Sequence, residues 1–262
     1  MAFLTCDFFS DSLEVGTSIS VVLPQSTEAQ IGVSGVAHGG AAPPPVLYLL
    51  HGLSDDHTAW PRYTSIGRYA ETAGLAVVMP AAGRSFYADE AHGHRYWSFV
   101  SEELPTIVQS FFRVSAEPAD TFVAGLSMGG YGALKLALTH PERYAAAASL
   151  SGAVQLRELL AQPERAEILG RVFDGDVGED DEIFSLLGRA SGVPPFYLGC
   201  GTDDPLLPGT RRFADAATAA GVDVTVDLRP GGHEWSVWDP MIADVIDWLT
   251  LRGSTGAMTP DA

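Results

Sequence analysis

Short runs rich in Val, Leu, Ile and Ala alternate along most of the chain with longer stretches of helical periodicity. This alternation limits the fold more than any other property of the sequence. The runs Ser18–Leu23, Val46–Leu50, Leu75–Met79, Thr121–Ala124, Ala146–Leu150, Phe196–Leu198 and Val222–Leu228 read as strands. A strand that is apolar almost throughout has no face to offer water, so it belongs in a mostly parallel sheet covered on both sides. Helical patterns fall near Thr58–Ala73, Ser98–Phe112, Met128–Thr139, Leu206–Ala220 and Val237–Leu251. In the last of these, Val237, Met241, Val245 and Trp248 recur at spacings of three and four and make one apolar stripe. The expectation is an α/β fold with one central sheet and helices on both faces.

The same pattern spans residues 1–252 without a second core, so one domain is expected, followed by a disordered tail over 253–262. Gly35–Pro45 reads as a surface loop and Gly170–Asp181 as an exposed excursion. A single domain of 262 residues buries roughly three quarters of its unfolded surface and needs neither disulfides nor a structural metal.

Charge narrows the partners. Lys and Arg number 15 against 33 Asp and Glu, a net charge of −18. Such a surface repels phosphate backbones and anionic lipid heads, so neither nucleic acid nor membrane is an expected partner. No apolar run approaches the roughly 18 residues that cross a bilayer. The opening MAFLTCDFFSDSLEV lacks a basic leader and does not read as a signal peptide. Cys6 and Cys200 are too few for a disulfide framework, which favours a reduced setting. A cytoplasmic protein is expected, with homo-oligomerisation left open.

Gly125-Leu126-Ser127-Met128-Gly129-Gly130 lies where a strand should end and a helix begin. A serine on a sharp turn of that kind has an exposed Oγ, and the helix N-terminus behind it supplies free N–H groups. Such a hydroxyl needs a base. Gly231-Gly232-His233 follows the last strand in a loop tight enough to return an imidazole over the sheet edge, and imidazole titrates near neutral pH. An orienting acid should follow the preceding strand, where Asp203 and Asp204 both stand. Asp204, against Pro205, fits better. The order Ser127, Asp204, His233 is that of α/β-hydrolases rather than of other serine hydrolases. The loop His51–His57 follows another strand, so the N–H groups of Leu53 and Met128 are the expected oxyanion donors.

These segments also resemble a known family. LLHGLSDDHTAW (Leu49–Trp60), VVMPAAGRSFYAD (Val77–Asp89), FVAGLSMGGYGALKLAL (Phe122–Leu138), CGTDDPL (Cys200–Leu206) and GGHEWSVWD (Gly231–Asp239) are together similar to the esterase D family, most of all its bacterial short-chain, tributyrin-type members. The resemblance runs from about Phe9 to Leu251. It implies an α/β-hydrolase fold without a large lid, no cofactor, and hydrolysis of small acyl esters by Ser127, His233 and Asp204 with Leu53 and Met128 as donors. S-formylglutathione hydrolases of the same family usually carry a cysteine in the loop that here reads HGLSDDH, which counts against that substrate. Mycolyltransferases of the family are usually secreted.

Weaker signals remain. Trp60 and Trp235 flank the catalytic loops and are expected to wall a small acyl pocket. Asp89-Glu90-Ala91-His92-Gly93-His94 has metal-ligand residue types without supporting spacing elsewhere and reads as a rim loop, so no metal is expected. The sequence therefore describes a serine carboxylesterase acting on small esters, neutral or cationic ones more readily than polyanions. Its rivals are acyl transfer or thioester hydrolysis at the same site, and a non-catalytic binding protein on a hydrolase scaffold.

Overall fold

The computed structural model describes residues 1–25 and 42–255. Eight strands form one sheet: β1 (Ala2–Ser10), β2 (Val15–Leu23), β3 (Val46–Leu50), β4 (Ala76–Pro80), β5 (Thr121–Leu126), β6 (Ala146–Leu150), β7 (Phe196–Gly201) and β8 (Val224–Arg229). Their order is β1-β2-β4-β3-β5-β6-β7-β8, parallel from β4 to β8, with β1 and β2 pairing antiparallel at one edge. Among the described residues, ten α-helices accompany the sheet: α1 (Ala59–Tyr63), α2 (Ile66–Ala73), α3 (Tyr96–Ser98), α4 (Leu104–Phe111), α5 (Met128–Thr139), α6 (Leu156–Leu160), α7 (Ala166–Phe173), α8 (Ile183–Arg189), α9 (Leu207–Ala219) and α10 (Trp235–Thr255).

Strand alternation explains why two cores arise from one sheet. In β3, Val46, Tyr48 and Leu50 enter one apolar cluster while Leu47 and Leu49 enter the other. The first cluster packs under α4, α5, α8 and α9; the second is closed by α1, α2 and the stripe Val237, Met241, Val245 of α10. Strands β3, β4, β6 and β7 are buried at every position, as the unbroken apolar runs require. The sheet architecture is therefore an α/β-hydrolase fold, with helices on both faces.

Four details depart from the sequence reading. β1 carries no apolar run because it is an edge strand exposed along most of its length, so nothing in its pattern demands burial. The stretch expected near Ser98–Phe112 is interrupted: Phe99–Glu103 forms a π-helical turn between α3 and α4. The excursion over Gly170–Asp181 is anchored, with Val172, Phe173 and Val177 buried. Helix α10 continues through Thr255, so the first three residues of the expected tail are helical. Residues 256–262 and most of the Gly35–Pro45 loop lie outside the described residues.

The anchor is Lys135, the only lysine in the sequence. It sits on α5 and is 3% exposed. Its Nζ donates to Asp181 Oδ1 at 2.5 Å and to the Tyr87 carbonyl at 3.2 Å, and lies 4.2 Å from the Trp97 ring centroid. Tyr131, one turn earlier on α5, donates from its hydroxyl to the Asp181 carbonyl at 2.7 Å. Burial lowers the lysine's pKa, and the Asp181 carboxylate opposes that shift. Helix α5 thereby fixes the segment before α8. Replacing the ammonium by a methyl thioether of similar length (Lys135→Met) leaves Asp181 and the Tyr87 carbonyl without their donor. Urea unfolding should show a loss of roughly 1–3 kcal/mol; no loss would mean that desolvation of the pair cancels its attraction.

Candidate active site

Ser127 alone connects β5, which ends at Leu126, to α5, which begins at Met128. Its φ of 54° and ψ of −114° lie where L-residues rarely sit, a strain on the order of 1–3 kcal/mol. Three backbone hydrogen bonds hold it there. Ser127 N–H donates to the Leu150 carbonyl at 2.8 Å, and the Ser127 carbonyl accepts from Tyr131 and Ala153 N–H, each at 3.1 Å. Glycine is required on either side by close backbone approach. A Cβ on Gly125 would stand 2.4 Å from the Gly129 carbonyl carbon, and one on Gly129 would stand 2.4 Å from the Leu50 carbonyl oxygen. The start of α5 is thus pressed directly onto the end of β3.

The two loops beyond β7 and β8 meet this turn. His233 Nε2 lies 3.0 Å from Ser127 Oγ, and its Nδ1 lies 2.8 Å from Asp204 Oδ2. The acid loop and the histidine loop are themselves tied together, because Asp203 N–H donates to the Gly231 carbonyl at 2.9 Å. Of the two adjacent acids, Asp204 faces the imidazole and Asp203 faces solvent. Burial alone would raise the Asp204 pKa. Hydrogen bonds from His233, Ser151 and Leu206 N–H outweigh it and hold the carboxyl below the ordinary 3.8. An acid that stays ionised while its side chain is 0% exposed can fix the ring with Nδ1 protonated and stabilise an imidazolium.

Ser151 had no motif to reveal it. It follows β6 at a φ of 49° and is fully buried beside Asp204. Its Oγ accepts from Trp238 Nε1 at 3.0 Å, and the Trp238 ring meets the His233 ring edge to face at 4.8 Å. The hydroxyl links α10 to the acid loop, and only the tertiary fold brings these elements together.

His51 settles the direction of the opposite wall. Its Nε2 accepts from Ala82 N–H at 2.9 Å, so the ring proton is on Nδ1, which donates to the Gly52 carbonyl at 2.7 Å. A trans peptide points its C=O and N–H in opposite directions. Fixing the Gly52 carbonyl toward His51 therefore turns Leu53 N–H away from it. Tyr87 braces the loop further by donating its hydroxyl to the His51 carbonyl at 3.0 Å. Leu53, Met128, Ser127 and His233 line one cavity of about 250 Å³. Met128 N–H, in the first turn of α5, has no partner within the helix. Phe86, Ala153, Leu159 and Leu206 give the cavity its apolar lining, and α6 with the turn after it forms one side. The volume is below the roughly 300–1,000 Å³ of pockets that hold drug-sized ligands.

Trp60 and Trp235 do not line this cavity, which corrects the expectation that they wall an acyl pocket. Trp60 is fully buried in the second core and donates from Nε1 to the Leu50 carbonyl at 3.1 Å. Trp235 packs between Trp60 and Trp238 at 5.2 and 5.4 Å and stacks on Tyr63. Large aromatic surface goes first to closing the core behind a catalytic loop, and proximity in sequence to that loop does not distinguish the two uses. In the Asp89–His94 segment, the Asp89 carboxylate accepts from Ser98, and Glu90 pairs with Arg171. Among the described residues, no group of three or more His, Cys, Asp or Glu could hold a metal ion. Cys6 and Cys200 are free thiols, and burial raises the Cys200 pKa to about 11.

Burial lowers the pKa of His51 below its ordinary 6.5. The folded chain therefore takes up this proton less readily than the unfolded chain. The contribution of His51 to stability is complete above about pH 6.5 and is lost as the pH falls below it. Asp204, also shifted down, loses its contribution only below its ordinary 3.8. Urea unfolding between pH 7 and pH 5 should weaken the wild type more steeply than His51→Asn; equal slopes would show that this histidine carries no such linkage.

Comparison with known proteins places the chain in a family. The Esterase family model matches residues 10–249. An acetyl esterase of Caldicellulosiruptor saccharolyticus is 29% identical over 266 residues, covering 95% of this chain and 98% of that one. The structure of FphF, a fluorophosphonate-binding serine hydrolase of Staphylococcus aureus, superposes with a TM-score of 0.85 at 31% identity, over 95% of this chain and 98% of that chain. The S-formylglutathione hydrolase FrmB of Staphylococcus aureus superposes at 0.82, also with 31% identity and the same coverage of 95% and 98%. Among the described residues, no helix is long and apolar enough to cross a membrane.

Proposed function

The chain belongs to the esterase family of α/β-hydrolases, in its esterase D branch, and on that footing we propose that it hydrolyses short-chain acyl esters through an acyl-enzyme on Ser127. His233 Nε2 takes the Ser127 proton as Oγ attacks the ester carbonyl carbon. The resulting oxyanion is received by the N–H groups of Leu53 and Met128. Asp204 keeps Nδ1 protonated and offsets the imidazolium charge. His233 then returns the proton to the departing alcohol, and the acyl group remains on Ser127. Water, deprotonated by the same imidazole, attacks the acyl carbon and frees the acid.

One observation carries this reading. The line from Asp204 Oδ2 through His233 to Ser127 Oγ is unbroken, at 2.8 and 3.0 Å, and it opens into the cavity that Leu53 and Met128 share. The small cavity and the acetyl esterase relative both favour a short acyl group. A thioester reading draws on the FrmB structure, while the loop His51–His57 lacks the cysteine usual in formylglutathione enzymes.

Turnover of p-nitrophenyl acetate and butyrate tests the mechanism. Ser127→Ala should fall to the buffer rate, and Asp204→Asn should lose on the order of 10³–10⁴ in kcat. Wild-type protein that neither turns over these esters nor is labelled by a fluorophosphonate would instead be a binding protein. A thioester consumed faster than its oxygen ester would move the substrate toward thioesters, and transesterification that outruns hydrolysis in added alcohol would mark an acyltransferase.

A further inference from the structure

We propose that Arg165 selects substrates carrying a carboxylate, which its guanidinium receives in the cavity it shares with Ser127 and His233. The proposal rests on the esterase reading and names the substrate class for it. Arg165 ends the turn Pro163–Arg165 between α6 and α7, and it lines the same cavity as Ser127 and His233. Its Nε is buried and has no hydrogen-bond partner among the described residues.

That orphan donor stands out because the neighbouring arginines are paired. Arg157 meets Glu179, Arg171 meets Glu90, Arg189 meets Asp180 and Arg212 meets Glu158. In a chain with 33 carboxylates, none of those among the described residues comes within ion-pair distance of Arg165, and none lines the cavity. The cavity wall is otherwise apolar apart from the catalytic pair, Gln162 and the rim. A buried guanidinium donor left unmatched by the protein is matched by a ligand that brings two acceptor oxygens in one plane, and a carboxylate does so with paired N–H···O bonds. One guanidinium balances one negative charge. A dianionic phosphate would leave a charge unbalanced inside a protein of net charge −18, so the monoanion is the better match. This reverses, for one kind of anion, the expectation from net charge alone: the overall field disfavours anions at long range, while the cavity rewards one carboxylate at contact.

Matched ester pairs read the effect. On the acyl side, p-nitrophenyl valerate and mono-p-nitrophenyl glutarate differ by a terminal methyl against a carboxylate. On the alcohol side, para-tolyl butyrate and para-carboxyphenyl butyrate do the same. In at least one pair, Arg165→Gln should lower the ratio of kcat/KM, carboxylate over neutral, by about tenfold or more, mostly through KM. Arg165→Lys should recover part of that ratio. A general loss of activity cancels in the ratio, and an unchanged ratio in both pairs overturns the proposal. If the wild type turns over none of the four esters, the esterase reading fails by itself. Calorimetric titration with monophenyl glutarate then decides the matter for Arg165. Binding to Ser127→Ala that weakens about tenfold in Ser127→Ala with Arg165→Gln supports the carboxylate site, and equal binding rejects it.

Discussion

The contact between the start of α5 and the end of β3 is made backbone to backbone, and the remaining site geometry depends on it. With the Leu50 carbonyl 2.4 Å from where a Gly129 Cβ would stand, the helix can begin only where it does. Ser127 is then forced to a φ of 54°, which no local preference would choose. The buried sheet makes that strain sustainable, because β3, β5 and β6 are hydrogen-bonded in parallel and α5 is buried along nearly its whole length. The resulting arrangement brings the first N–H of a helix, the Ser127 hydroxyl and the loop after β3 to one cavity. Their placement is fixed by main chain rather than by flexible side chains, which suits groups that must be in position before charge develops.

Behind the histidine, polar groups are arranged so that each buried one has a partner. Trp238 donates to Ser151, Ser151 lies against Asp204, Asp204 holds His233, and His233 reaches Ser127. An ionised carboxylate in the interior is expensive unless hydrogen bonds surround it. Here those bonds come from the histidine loop after β8, from the turn after β6 and from the start of α9, so three separate parts of the fold meet at one carboxylate. His51 does comparable work on the other side by holding a single peptide plane. Both arrangements convert the rigidity of the sheet into the direction of a proton or of an N–H bond.

Much of this was legible in the sequence, and what was hidden has physical causes. The turn at Ser127 declares itself because strand, glycines and helix are adjacent in the chain. Asp204 and His233 stand out in the sequence because each follows a strand and sits beside glycine or proline, and Leu53 because its loop follows β3; the structure gathers all three around Ser127. The aromatic residues misled, since Trp60 is buried in the core behind the site and Trp235, partly buried, packs against that core, and neither placement leaves a local mark that separates core from pocket. Ser151 and Arg165 were invisible for the opposite reason. A serine after a strand and an arginine in a polar turn are ordinary in sequence, and their roles come only from residues far away along the chain. β1 escaped because an edge strand in contact with water has no reason to be uniformly apolar.

The burial of Lys135 has a practical side. The one side-chain amine in the chain is enclosed by Asp181, Tyr87 and Trp97. Reagents that couple to lysine, including the succinimidyl esters used for dyes and solid supports, find no surface lysine to attack. A folded molecule should keep that amine intact, while an unfolded one exposes it. Reactivity of a single residue thus becomes a footprint of whether α5 is seated, and covalent attachment of the active protein is better directed to its abundant carboxylates.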